Sequence, residues 1–126
     1  MAEHRYSNRR KAQFAVRLFL RRGAHRSAHG AELTLVGRTR DISETGIGVI
    51  VSASKIKHYL ASKDCKIDLA IELPGETIRV EGVPARYQPL EEGGVVKGYF
   101  IGIHLTNMDA HARVMITEFA TDTKAE

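Results

Sequence analysis

The sequence contains few of the residues on which several classes of small protein depend. Among 126 residues it has one cysteine, Cys65, and no tryptophan. A single cysteine forms no internal disulfide, and alone it makes no zinc site. The apolar runs are too short to cross a bilayer, and the amino-terminal residues contain no apolar signal-peptide core. We therefore expect a cytoplasmic protein without membrane insertion, in which Cys65 belongs to the core.

The composition otherwise fits one soluble globular domain. Hydrophobic residues make up 43% of the chain and charged residues 27%, which is an ordinary balance. The formal net charge is +4, and in the first 26 residues only Glu3 is acidic. This basic excess indicates an anionic partner. Bulk charge does not distinguish DNA, RNA, an anionic membrane and a small nucleotide, because all of them respond to the same long-range field.

Alternating apolar residues predict a fold made mainly of strands. A period of two is typical of strands with one buried face, and the clearest example runs from Cys65 to Leu73. Six strands are predicted, beginning in order at Phe14, Leu33, Ile47, Cys65, Ile78 and Val95. A short helix is predicted within Ser54–Ser62. The glycines at 46 and 48 leave room for another group close to the outward face of their strand, and those at 98 and 102 thin the outward face of the last strand.

Turn and cap residues predict how the strands connect and where the chain leaves the sheet. Leu73–Glu76, with the sequence LPGE, fits a type II turn, and EEGG at 91–94 makes the next one. A slip in the apolar phase around Gly82 predicts a bulge before Ala85 and Tyr87. Asp109 is a suitable N-cap for a closing amphipathic helix. Its apolar stripe, which we interpret as a packing surface, consists of Ala112, Met115, Ile116 and Phe119.

Short connections between successive strands predict antiparallel pairing. Six such strands and one helix fit a small barrel over residues 12–126, which the helix plugs or flanks. Residues 1–11 contain no large aliphatic side chain. We expect them to form a flexible basic arm in front of the barrel, because they have too little apolar area to offset the entropy of ordering.

Two short motifs occur together in this framework. The first is RYSNR at residues 5–9, and the second is DISETG at residues 41–46, one hairpin later. They resemble the RxxxR and [D/N]xSxxG signatures of the PilZ family, and the resemblance extends over almost the whole chain. One departure is Thr45, where many members of the family have glycine. We expect this residue to stiffen the turn or to narrow the ligand pocket slightly.

The resemblance implies a fold, a ligand and a set of contacts. The fold would be mainly β, a six-stranded antiparallel PilZ-like barrel with a C-terminal α-helix and a flexible N-terminal arm. The ligand would be cyclic di-GMP, bound as an intercalated dimer or as a monomer, with no other cofactor. The protein would be a receptor rather than an enzyme and would signal to a protein effector. The implied ligand-binding residues are Arg5, Arg9, Arg10, Asp41, Ser43 and Gly46.

The chemistry of these residue types agrees with that ligand. Guanidinium groups bind phosphate through two hydrogen bonds, contact the O6 and N7 edge of guanine, and stack on purine rings. A carboxylate such as Asp41 accepts hydrogen bonds from the N1 and N2 donors of guanine, whereas adenine offers no matching pair. Ser43 can add a hydroxyl contact, and Gly46 lets the ligand approach the backbone. We therefore expect selectivity for guanine.

Plainer explanations exist for each motif taken singly. Arginines in an exposed arm are usually solvated charge, and DxSxxG is a common turn sequence. Their joint occurrence, in order and on a fitting strand pattern, favours a ligand site. The main alternative is a small basic barrel that binds single-stranded nucleic acid. The low aromatic content argues against this partner, because most Phe and Tyr residues fall at predicted core positions.

A small hydrolase is a further alternative. No histidine lies at a recognisable spacing from a nucleophile and an orienting acid. His25 and His29 resemble a metal pair, but they lie in a glycine-bounded loop without a suitably spaced third ligand. We interpret them as solvent-exposed and expect neither a metal nor catalysis.

Overall fold

The computed structural model describes residues 10–11, 13–22 and 33–122, with only the backbone described at 10–11 and 121–122. The strands are β1 (Arg10–Lys11), β2 (Ala15–Arg21), β3 (Leu33–Ile42), β4 (Gly46–Val51), β5 (Lys66–Leu73), β6 (Glu76–Glu92) and β7 (Val95–Met108). The helices are α1 (Lys57–Leu60) and α2 (Ala110–Asp122). No helix in this described part is long and apolar enough to span a membrane.

Six of the strands form a closed antiparallel barrel. Their order is β3, β2, β5, β6, β7 and β4, and β4 pairs back onto β3 to close the sheet. The short strand β1 pairs with β3 beyond the end of β2. The prediction of a six-stranded antiparallel barrel with a C-terminal helix is therefore confirmed.

The core fills the inside of the barrel as the alternating pattern predicted. In β2 the residues Val16, Leu18 and Leu20 are buried, and between them Arg17 is exposed. The run from Cys65 to Leu73 buries every second residue, including Cys65 itself. Each fully buried aliphatic side chain stabilises the fold by about 1.5 to 3 kcal/mol relative to exposure. The inward residues of β2 and β5 thus follow from periodicity.

The two predicted hairpin turns are present, and glycine makes both possible. Gly75 has a φ of 90°, which a type II turn requires at this position. Gly93 and Gly94 have φ values of 61° and 81°. Two successive positive values are those of a type I′ turn, whose twist matches the flanking strands. β6 and β7 therefore form one long ribbon.

Bulges interrupt that ribbon. The register of β6 and β7 shifts between Glu81 and Gly82, which confirms the predicted irregularity. A second shift, between Pro84 and Arg86, leaves Ala85 as an additional residue in β6. The predicted bulge lies before Ala85, whereas at this second shift the additional residue is Ala85 itself, which is exposed. The extra residue changes the phase of alternation in the strand at this point.

Both helices contribute buried side chains to the hydrophobic core. α1 is a single turn within the predicted Ser54–Ser62 segment, and it buries Leu60. At the start of α2, Ala112 N–H donates to Asp109 Oδ1 at 2.7 Å, which confirms the N-cap. Phe119 meets Phe14 edge to face with ring centroids 5.2 Å apart. The apolar stripe of α2 therefore packs on the barrel, as predicted.

Candidate functional site

The DISETG turn connects β3 to β4 and is closed by Ser43. The backbone N–H of Ser43 donates to Gly46 O at 2.8 Å, and its hydroxyl donates to the same oxygen at 3.0 Å. Gly46 N–H lies 3.1 Å from Ser43 Oγ, to which it donates. These bonds hold the turn in one shape. Ser43, which is 8% exposed, thus has a structural role in this motif.

Asp41 lies on the outward side of β3 beside a bulge, and it is only 7% exposed. The register of β3 and β4 shifts between Thr39 and Asp41, so Arg40 is an additional residue, and Asp41 lies opposite Gly48. Arg40 Nε donates to Asp41 Oδ2 at 3.4 Å. A Cβ atom at Gly48 would lie only 2.8 Å from Asp41 Oδ1. Glycine at position 48 therefore lets the carboxylate extend across the neighbouring strand.

The chain leading from the RxxxR motif joins the sheet at the same end of β3. Arg10 pairs with Ile42 and Lys11 pairs with Asp41. These two residues belong to the segment predicted as an arm. They carry no apolar side chain, and their pairing is made by the backbone. Arg5 and Arg9 lie outside the described residues, and of Arg10 only the backbone is described.

The structure therefore brings together Asp41, Ser43, Gly46 and the backbone of Arg10. It also adds residues that the sequence did not assign to the site. Asp41 pairs with Gly48, Gly48 with Gly102, and Gly102 with Arg86. These four residues form a cross-strand row over β3, β4, β7 and β6. Three strand spacings make the row roughly 14 Å long.

Phe100 lies next to this row on the outer face of β7. It is only 5% exposed, and two arginine side chains lie close to its ring. The Cζ atoms of Arg40 and Arg86 are 4.0 Å and 5.4 Å from its ring centroid. We call Arg40, Phe100 and Arg86 the arginine–phenylalanine shelf. Such guanidinium–ring contacts are attractive because the face of the ring carries negative potential.

Two shallow cavities lie on this surface and share Arg86 and Phe100. One, of about 210 Å³, is lined by Thr45, Gly46, Ile47, Gly48, Ala85, Arg86, Phe100, Gly102, Ile103 and His104. The other, of about 200 Å³, is lined by Arg40, Arg86, Tyr87, Gln88 and Phe100. The first cavity therefore joins the DISETG turn directly to the shelf.

Two further observations concern titratable groups. Among the residues that the structure describes, no three His, Cys, Asp or Glu side chains are grouped to hold a metal ion. His25 and His29 fall outside that part of the chain. The Glu76 carboxylate accepts a hydrogen bond from His111 Nε2 at 2.8 Å, and this bond, together with the negative charge of Glu76, raises the pKa of His111 above its ordinary value. This pair links α2 to the start of β6 and lies apart from the motif.

Only part of the cross-strand row could be predicted from the sequence. The outward positions of Gly48 and Gly102 were recognisable from the alternation of their strands. Their alignment with Asp41 and Arg86 was not, because it depends on register and on the two bulges. Only pairing across the strands shows that these residues form one surface.

Comparison with known proteins agrees with this geometry. The chain matches the PilZ domain family over residues 3–122. The chain belongs to the PilZ family. A comparison with curated proteins gives no match.

Solved PilZ structures have a similar fold at low sequence identity. MotI (DgrA), the inhibitor of motility from Bacillus subtilis, is 15% identical with a TM-score of 0.60; the match covers 93% of this chain and 49% of MotI. This chain thus spans about half the length of MotI. The PilZ domain of CeSA from a cellulose-synthesizing bacterium is 18% identical with a TM-score of 0.52, covering 92% and 97% of the two chains. The PilZ domain of YcgR from Escherichia coli, solved with c-di-GMP, is 10% identical with a TM-score of 0.55, covering 93% and 88%.

Proposed function

We propose that this PilZ domain is a cytoplasmic receptor for cyclic di-GMP that signals to a protein partner and catalyses no reaction. Two findings support the ligand: the family match over residues 3–122, and the fold shared with the YcgR domain that was solved with c-di-GMP. The RxxxR and DxSxxG motifs of the chain supply the chemistry. The proposed contacts are made by Arg5, Arg9, Arg10, Asp41, Ser43 and Gly46.

The observation that carries the proposal is the pairing of β1 with the end of β3. Arg10 lies opposite Ile42, the residue between Asp41 and Ser43. Arg9 is bonded to Arg10, so chain connectivity ties the RxxxR motif to the end of β3 that holds the DISETG turn. A combination of guanidinium groups and a carboxylate suits a ligand with two guanines and two phosphates.

The roles of the turn residues differ within this proposal. Asp41 offers its carboxylate to the N1 and N2 donors of a guanine, which gives selectivity over adenine. Ser43 holds the turn through its bonds to Gly46, so its contribution is largely to position the backbone. Thr45 lines the cavity beside the turn, where a larger side chain than glycine narrows the space.

Signalling would follow from ordering of the arm. Fixing a residue's backbone costs about 1 to 2 kcal/mol, and the composition of residues 1–11 offers too little apolar area to offset this cost without ligand. Contacts to the phosphates and guanines of the ligand would supply the favourable free energy that offsets this cost. The ordered arm and the nucleotide then make a composite surface that a partner can distinguish from the unliganded form. Phe14, in contact with Phe119, connects the base of the arm to α2.

Binding of single-stranded nucleic acid is the less favoured alternative. Such binders stack successive bases on several aromatic side chains along a basic groove. In the cavities beside the DISETG turn, Phe100 is nearly buried beside two arginines, and Tyr87 is half-buried beside Tyr99. This surface is too short for a run of bases, and it suits a compact nucleotide better.

A calorimetric titration tests the ligand, its stoichiometry and its selectivity. We expect saturable binding of cyclic di-GMP and poor competition by cyclic di-AMP at physiological salt. Equal binding of the two dinucleotides, or tighter binding of a random single-stranded oligonucleotide, would overturn the proposal. Amide hydrogen exchange tests the adaptor step, which requires residues 1–11 to gain protection when the site is saturated. Equal protection with and without ligand would exclude the arm as the switch.

A further inference from the structure

Both ends of the cross-strand row are shaped in the same way. At one end, the additional residue Arg40 precedes Asp41, and at the other, the additional residue Ala85 precedes Arg86. Bulges bend a strand and redirect the following side chains, and they are common beside functional sites. The first bulge lies directly before the DxSxxG motif. The second bulge lies outside both motifs and directs Arg86 onto the same outer surface.

Arg86 is placed to meet a ligand. It is exposed, and no described residue makes a hydrogen bond or an ion pair with its guanidinium group. It lies along the outer surface of β7, where a Cβ atom at Gly102 would be 3.0 Å from its Cγ and 3.1 Å from its Nε. Glycine at position 102 thus allows this arginine to lie flat. By contrast, Arg40 already contacts Asp41.

The shelf also has the chemistry to hold a purine. A planar guanidinium beside an aromatic ring stacks on a base, and it can instead donate to the O6 and N7 atoms of guanine. The row from Asp41 to Arg86 spans roughly 14 Å, with two glycines between its ends. A surface of this length, with a carboxylate at one end and a guanidinium group at the other, is suited to a ligand with a base at each end.

We propose that the arginine–phenylalanine shelf is a second base-binding half of the cyclic di-GMP site, and that Arg86 contacts the guanine distant from Asp41. This inference rests on the proposed function, and it names a residue outside both motifs. Arg86 is then a specificity residue of the same site, held in place by Phe100 and by the absence of a side chain at Gly102.

Calorimetry with cyclic di-GMP on the full chain tests this assignment. For Arg86→Ala we expect a loss of affinity of about tenfold or more, the scale of one lost base-stacking contact. The matched control is Arg79→Ala, which removes the same charge from an exposed position in β6 opposite Ala70. The control should bind within twofold of the wild-type chain. Circular dichroism and urea unfolding establish that both variants are folded.

Two more variants test whether Arg86 acts by stacking on a base or only by its charge. Arg86→Lys keeps the charge but has no planar group, so it should bind nearly as weakly as Arg86→Ala. Gly102→Ala keeps Arg86 but displaces it, and it should also weaken binding. Wild-type affinity in Arg86→Lys would overturn the stacking role and leave only a contribution of charge.

The outcomes distinguish this inference from the proposed function. If the wild-type chain binds cyclic di-GMP and Arg86→Ala binds it equally well, the shelf is not part of the site, although the receptor function stands. If Arg86→Ala and Arg79→Ala lose the same affinity, the effect is one of net charge, and the assignment is again wrong. If the wild-type chain fails to bind cyclic di-GMP, both proposals fail together.

Discussion

The inward and outward faces of β4 and β7 differ although they alternate along the same backbone. The inward residues, such as Val49 and Ile101, are fully buried apolar side chains. The outward positions include Gly48 and Gly102, over which larger side chains from neighbouring strands lie. Inward residues hold the barrel together, and outward residues shape a surface. Stability and binding should therefore be separable by mutation, one face at a time.

The largest effect should come from the inward face. Ile101→Ala removes a fully buried side chain next to Phe100 in sequence. We expect a loss of about 2 to 5 kcal/mol in the free energy of unfolding, measured by urea denaturation. The exposed Val114→Ala in α2 should change it by less than about 0.5 kcal/mol. A similar loss in both variants would mean that the barrel interior does not dominate stability.

The next largest effect should be a loss of ligand affinity with no change in stability. Arg9→Ala or Arg5→Ala should weaken cyclic di-GMP binding by about 1.5 to 3 kcal/mol for each charge-assisted hydrogen bond removed, roughly tenfold to a hundredfold. The free energy of unfolding should not change, because the arm adds little to the core. Calorimetry and urea unfolding measure the two quantities. Normal binding by either variant would remove that arginine from the site.

Two glycine variants compare a position in the cross-strand row with a position outside it. At Gly48 a Cβ atom would meet Asp41 Oδ1 and Phe100 Cε1, whereas at Gly82 it would lie 2.5 Å from His104 O. Gly82→Ala should therefore destabilise the fold by about 1 to 3 kcal/mol, the usual cost of overpacking. Gly48→Ala should mainly weaken cyclic di-GMP binding. Reversed phenotypes would contradict the assignment of Gly48 to the ligand-binding surface.

The smallest effect should be a pH dependence at the start of α2. Glu76 raises the pKa of His111 in the folded state, so the protonated pair stabilises the fold below pH 6.5, the ordinary value. The contribution is lost as pH rises through the raised folded pKa. The difference in the free energy of unfolding between wild-type and His111→Gln should shrink over this range in a urea series. A difference that grows with pH would contradict the pairing.

The parts of the fold that were predictable are those set by local patterns. Burial of alternate residues in β2 and β5, the turn at Gly75 and the cap at Asp109 each depend on a few neighbouring residues. The DISETG turn was likewise recognisable. The pairing of Arg10 was not, because backbone hydrogen bonds leave no apolar pattern in the sequence.

The shelf was unpredictable for a different reason. Its members come from three strands, and the bulges at Arg40 and Ala85 change which residues face one another. A pattern with a period of two fixes the face of a residue within its strand, but it does not fix the register between strands. That Phe100 and Arg86 lie side by side is therefore visible only in the folded barrel.

The most direct test of the account is an NMR titration of the ¹⁵N-labelled chain with cyclic di-GMP. The account predicts that the largest amide shifts occur at Asp41, Gly48 and Gly102 and in residues 1–11. The amides of Arg79 and Val114 should remain in place. Saturable binding that leaves Asp41 and Gly48 unshifted, or that shifts mainly the residues around Arg79, would contradict a ligand site on this outward face.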